Sequence, residues 1–305
     1  MRVAQLVILA GAGYYLVRLA APYWPAIVAR RLSWHAAPLP LALGSLIVWA
    51  NLALLLAAWT ASLRWCAQEV RYADAARVWF TTNLARFLPG GVWQFASLAV
   101  MAGRYGLSAV AAAATVLLEQ VVLLFTGLLV LAVLTPSVLH ATWWQAALLV
   151  AALLGAIGLA LPRPGWGGGG RLARWAGARI PGVDLLWSRL GAGQLVAFTV
   201  LLVLPWLLYG VAFRLLALAL LDHPAGGWSF YVAAFTGSYV AGVIAVFAPA
   251  GLLVREVALV QALTPVVGGA DAVILAVASR VWLTLLELVA GAVVLAWPVA
   301  PRRRV

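Results

Sequence analysis

Five ionisable side chains interrupt otherwise apolar runs: Glu119 in TVLLEQVV, Arg255 and Glu256 together in LLVREVAL, Arg280 in VASRVWLT and Glu287 in TLLELVAG. A charge at membrane depth costs about 3 kcal/mol on insertion scales, so such a group faces a partner or a wet cavity. Arg280 and Glu287 lie two helical turns apart, which puts them on nearly one helix face. Arg86 stands just before a Pro-Gly-Gly break and belongs with them. Two uses of these charges stay open. They are either ion pairs that fix helix register, or a polar seam that meets a ligand. For Arg255 the second use has a specific chemistry, because the freed amides of a new helix start favour anions and a guanidinium beside them suits a lipid phosphate.

Catalytic patterns are missing. There is no HExxH, no GxSxG and no cysteine cluster, and His35, His140 and His223 are far apart in the chain. The single Cys66 leaves no internal disulfide and reads as a packing residue. No catalytic residue, metal site or cofactor is expected, and the chain is not read as an enzyme.

The elements that hold these charges follow from composition. Of 305 residues, 66% are hydrophobic and 9% are charged, against about a quarter charged in soluble domains. Apolar blocks near the roughly 20 residues that span a bilayer occur at 40–63, 109–134, 142–161, 194–216, 230–247 and 272–297, with an uncleaved first span expected at 3–17. The fold class expected is all-α: a polytopic integral membrane protein with about six to eight transmembrane helices. It forms a single membrane domain over 1–305. Its possible halves, 1–161 and 194–300, are joined by an Arg/Gly-rich cytoplasmic loop at 162–193.

The net charge of +12 comes from 20 basic residues, all arginine, against 8 acids. These arginines cluster between apolar spans, as the positive-inside rule requires of cytoplasmic loops, so their partners are anionic lipid headgroups and not nucleic acid. Arg302, Arg303 and Arg304 place the C-terminus in the cytoplasm of a cell or inner membrane protein. The turns around Ser137 and Asp222 then fall outside and Arg104 inside, while Arg18, Arg30 and Arg31 leave the N-terminal orientation open.

Two stretches depart from simple spans. Residues 75–106 contain RFLPGGVWQ, broken at Pro89, Gly90 and Gly91, and residues 230–268 contain VFAPAGLLVRE, broken at Pro249 and Gly251. Proline removes a helix donor and glycine loosens the backbone, so each stretch should form two half-helices of re-entrant type. A broken helix at membrane depth is tolerated only where protein or water lines it. Each break is followed by a span with a glutamate, Glu119 after the first and Glu287 after the second. That order suggests an internal pseudo-repeat of the kind transporters use to build a midplane site.

On these motifs the sequence resembles, over nearly its whole length, the transmembrane region of lysylphosphatidylglycerol synthases, the flippase-like or YbhN family. The Arg-x-x-Pro-Gly element falls at Arg86, Pro89 and Gly90. The Arg-x-Gly turn and the following glutamate fall at Arg104, Gly106 and Glu119. The Pro-Gly-Gly-x-Gly-x-Arg-Glu element falls at Pro249, Gly251, Arg255 and Glu256, with Ala250 and Leu253 where the family usually has glycine. The resemblance implies a lipid translocase that moves a polar lipid, anionic or zwitterionic, between leaflets. It also implies a separate lipid-modifying enzyme as partner. The alternatives are a membrane enzyme or accessory acting on a lipid-linked phosphate, and a non-catalytic scaffold.

Overall fold

Runs of Leu, Val and Ala this long must satisfy their backbone polar groups within the segment once water is excluded, which leaves the helix as the available form. The computed structural model describes residues 37–85, 93–139, 191–245 and 253–297, besides the isolated positions 21 and 25, and all regular structure among them is α-helical. In chain order the helices are α1 (Pro38–Trp65), α2 (Tyr72–Ala85), α3 (Trp93–Arg104), α4 (Ala109–Leu139), α5 (Ala192–Leu201), α6 (Leu204–Leu220), α7 (Trp228–Ile244), α8 (Val254–Val267) and α9 (Gly269–Ala296). Four segments among the described residues are long and apolar enough to cross a membrane: Pro38–Trp65, Ala109–Leu134, Gly193–Leu220 and Gly269–Ala296. Their outer faces carry exposed Leu43, Leu46, Val133, Val200, Val281 and Val293, an arrangement stable in lipid and not in water. The first apolar run at 3–17, the span at 142–161, residues 162–190 of the loop and the C-terminal arginines lie outside the described residues.

Both interrupted stretches are paired short helices, as their Pro and Gly content requires. Residues 75–106 give α2 and α3, of 14 and 12 residues, packed on one another, and residues 230–268 give α7 and α8, of 17 and 14 residues, likewise packed together. At 1.5 Å per residue these reach about 18–26 Å, short of the ~30 Å hydrocarbon core.

The span expected at 194–216 lies within Gly193–Leu220 and is interrupted between Leu201 and Leu204, ahead of Pro205, which has no N–H to give the Leu201 carbonyl its usual helical bond. Side chains reach the carbonyls around this break: the Thr126 hydroxyl lies 3.1 Å from Leu202 O, and Asn51 Nδ2 donates to Pro205 O at 3.4 Å. Trp206 Nε1 in turn donates to Thr126 Oγ1 at 3.0 Å. The turn expected around Ser137 is the last turn of α4, which runs on to Leu139.

The order of elements repeats. A long segment (α1, then α5–α6) precedes two short packed helices (α2–α3, then α7–α8) and a second long helix (α4, then α9). The packing is reciprocal: α1 lies against α6, α4 against α7, and α9 against α2. Direction follows from two contacts. Ala37 N–H donates to Ala219 O at 3.0 Å, so α1 starts where α6 ends. Arg77, in the second turn of α2, donates to Trp297 O, so α9 ends where α2 begins. The two units therefore run in opposite senses. The open ends of α2–α3 lie at a face with Arg64, Arg71 and Arg104, and those of α7–α8 at the opposite face with Asp222 and Asp271. Gly106, at φ 71, closes α3 there, letting Leu107 N–H reach Ala102 O at 2.9 Å.

The packing of α6 on α7 depends on Gly210, where an added Cβ would stand 2.4 Å from Val232 Cγ2 and 2.5 Å from Val232 Cα. Because one of those atoms is backbone, the helices themselves would have to part. Gly210→Ala is expected to destabilise the protein by about 1–3 kcal/mol, the usual cost of overpacking. Gly291→Ala should cost less, because it meets the movable tip of Leu84. Thermal melting of both variants in detergent checks the order; equal melting points would refute it.

Candidate functional site

Polar residues of α2, α3, α4, α8 and α9 meet around a cavity of about 100 Å³. That is several times the ~10–15 Å³ one water needs. Every helix except α5 contributes to its wall. Four of the residues singled out by sequence line it, Glu119 from α4, Arg255 from α8, and Arg280 and Glu287 from one face of α9. Arg86, Pro89, Gly90, Pro249 and Gly251 lie outside the described residues.

Glu256 stands behind the wall and organises it. Its Oε2 accepts the Leu253 N–H at 2.6 Å, capping the start of α8, and its Oε1 lies 3.6 Å from Arg280 Nε on α9. A carboxylate in the first turn also meets the positive end of the helix dipole. Leu253 itself adopts φ 73, in the region that favours glycine. A side chain there costs about 1–3 kcal/mol, accepted so that α8 can start with Glu256 in reach.

Arg255, one residue earlier, lies over two aromatic rings of α7, 4.7 Å from the Phe235 centroid and 5.3 Å from that of Tyr239. Phe235 and Tyr239 are one turn apart and so share a face. These rings hold a cation without neutralising it. One end of the guanidinium, Nη2, is buried with no hydrogen-bond partner among the described residues.

Glu119, also in the lining, is only 5% exposed, with no hydrogen bond or ion pair among the described residues. Beside it the cavity is lined by Thr82, Asn83, Gln94 and Gln120. The Thr82 hydroxyl is buried and has no hydrogen-bond partner among the described residues. Trp59 and Trp206 complete the lining with their ring N–H groups already given to Thr115 and Thr126, so that they offer apolar ring surface.

Sequence reasoning on charges missed these neutral polar residues. A signal was present, since Asn83 and Gln94 flank the first break, Gln120 follows Glu119, and Thr284 precedes Glu287 by one turn. Neutral amides and hydroxyls barely disturb a hydropathy profile, so only the folded arrangement sets them apart. The chain matches no protein-family model, and no curated protein matches it.

Removing Glu256 would leave Arg280 charged and unpaired and the α8 amide uncapped. Glu256→Ala is expected to destabilise the fold by about 3 kcal/mol, as for a broken buried pair. Glu256→Ala combined with Arg280→Leu should recover part of that loss, because the orphaned charge goes too. Melting curves of the single and double variants test this; a double variant less stable than the single one would contradict it.

Proposed function

We propose that this protein is a lipid translocase, which carries a polar headgroup through the cavity while the acyl tails stay in the surrounding bilayer. The observation that carries this reading is the convergence of Glu119, Arg255, Arg280 and Glu287, from helices remote in sequence, on one cavity within a bundle of membrane-length apolar helices. Isolated ion pairs would not need that space. An apolar bundle core would not keep an unpartnered guanidinium end and an unpartnered hydroxyl facing it.

The opposed order of the two units supports the same reading. In this proposal α2–α3 and α7–α8 are re-entrant hairpins that enter from opposite faces, their tips meeting at mid-depth. Inverted repeats with interrupted helices at the midplane are the architecture by which secondary transporters expose one site to each side in turn. The face with Arg64, Arg71 and Arg104 is then cytoplasmic, and with it the C-terminus, by the positive-inside rule. The resemblance to the flippase-like family points to the same class of cargo. The lipid leaves chemically unchanged.

The test is transfer of headgroup-labelled phospholipids between leaflets of proteoliposomes. Arg255→Ala is expected to slow transfer by about tenfold or more, since a charge-assisted hydrogen bond is worth roughly 1.5–3 kcal/mol. Glu119→Gln should also slow it, while Val133→Ala, on the outer face, should not. Transfer unchanged in both cavity variants would sink the assignment of this site. A mass change in the recovered lipid would show chemistry instead of movement.

A further inference from the structure

The rings that seat Arg255 are themselves held by rings. Arg255 makes no hydrogen bond or ion pair among the described residues, so its place in the cavity wall falls to Phe235 and Tyr239, 4.7 and 5.3 Å from its guanidinium. Both of these α7 rings border the cavity, and a ring beside open space keeps its rotamer only through what packs on it. Two residues of α6 do so. Tyr209 stacks on Phe235 with centroids 5.3 Å and planes 26° apart, and Trp206 meets Tyr239 edge-on at 5.3 Å and 74°. Trp206 and Tyr209 are three residues apart on α6, so one turn of this helix matches the one turn of α7 that carries the seat.

That turn of α6 is fixed in its own right. Trp206 Nε1 donates to Thr126 Oγ1 on α4 at 3.0 Å. Next to Thr126, Gly127 leaves room for the indole: an added Cβ would stand 2.9 Å from Trp206 Cζ2 and 3.0 Å from Val240 Cγ2. Trp206, 3% exposed, therefore fills a fitted slot between α4 and α7. The interruption ahead of Pro205 releases the start of α6 from the rotation of α5, and these contacts set it instead.

We propose that Trp206 and Tyr209 are positioning residues of the ligand site: they hold Tyr239 and Phe235, and through those rings they hold Arg255 where an anion can reach it. This rests on the reading that Arg255 meets the ligand, and neither residue needs to touch the ligand itself. An aromatic face attracts a guanidinium without taking up its N–H donors, whereas a carboxylate would occupy the fork that an anion needs.

Binding of a short-chain phosphatidic acid, measured by titration calorimetry on the full-length chain in detergent, tests this, since that lipid offers a phosphate with no further headgroup. Arg255→Ala is expected to weaken binding at least about tenfold, the loss of a charge-assisted hydrogen bond. Tyr209→Leu and Trp206→Leu should each weaken it about three- to tenfold, the worth of an aromatic pair, and Tyr209→Phe, which keeps the ring, should bind like the wild type. In the Arg255→Ala background the two leucine variants should have no further effect, because the group they act through is gone; a merely structural role would weaken binding by the same factor in both backgrounds. Such equal weakening, or leucine variants that bind like the wild type, would overturn the positioning role and leave the translocase untouched. A wild type that binds no better than Arg255→Ala would take Arg255 out of the ligand site, and this inference with it. The expected binding pattern without any lipid transfer would refute the translocase and leave the positioning role standing.

Discussion

The bundle turns on one carboxylate. At the depth of the cavity both a freed helix amide and a guanidinium need an acceptor, and Glu256 serves the two at once, through Leu253 N–H and Arg280. This double service fixes where α8 begins, joins it to α9 and sets the rotation of α8 about its own axis. Arg255, about 100° further round the helix, is thereby delivered to Phe235 and Tyr239 and not to an acid. One cation is consumed by structure so that its neighbour is left for a ligand.

The same constraint explains how a chain with few charges tolerates interrupted backbone in an apolar surround. At Pro205 the acceptors already exist as carbonyls, and the donors come from Asn51 and from Thr126, itself oriented by Trp206. At the start of α8 the orphan is an amide, and the answer is an acid. At the end of α3 the left-handed Gly106 lets the chain fold back on its own last carbonyls. Two of these interruptions leave carbonyls and one leaves an amide, and each is met by the residue chemistry that matches it.

Much of this was legible in the sequence. The runs at 40–63, 109–134 and 272–297 sit inside helices long enough to span, because apolar length alone decides such elements. The two Pro/Gly breaks announced paired half-helices, and Glu119, Arg255, Arg280 and Glu287 stood out as charges that need either an ion partner or a wet cavity in hydrocarbon, a choice the sequence left open. The interruption before Pro205 was not anticipated. Its flanking residues are uniformly apolar, and hydropathy is blind to backbone geometry. Nor were Thr82, Asn83 and Gln94, whose polarity is small enough to pass as tolerated substitutions on a helix until tertiary packing aims them at one space. The aromatic seat of Arg255 joins α7 to α8, a pairing that spacing along the chain does not specify.

The reciprocal packing of α2 on α9 and of α4 on α7 bears on how the molecule is made. A chain threaded into a membrane from its N-terminus releases α2 early, yet the helix against which α2 finally lies is the last described. During synthesis the short first pair must wait, with half-length helices and an unmet polar wall, until α9 has emerged. The first unit is thus dependent on the second for its completion, and assembly is a late event that closes both units in one step.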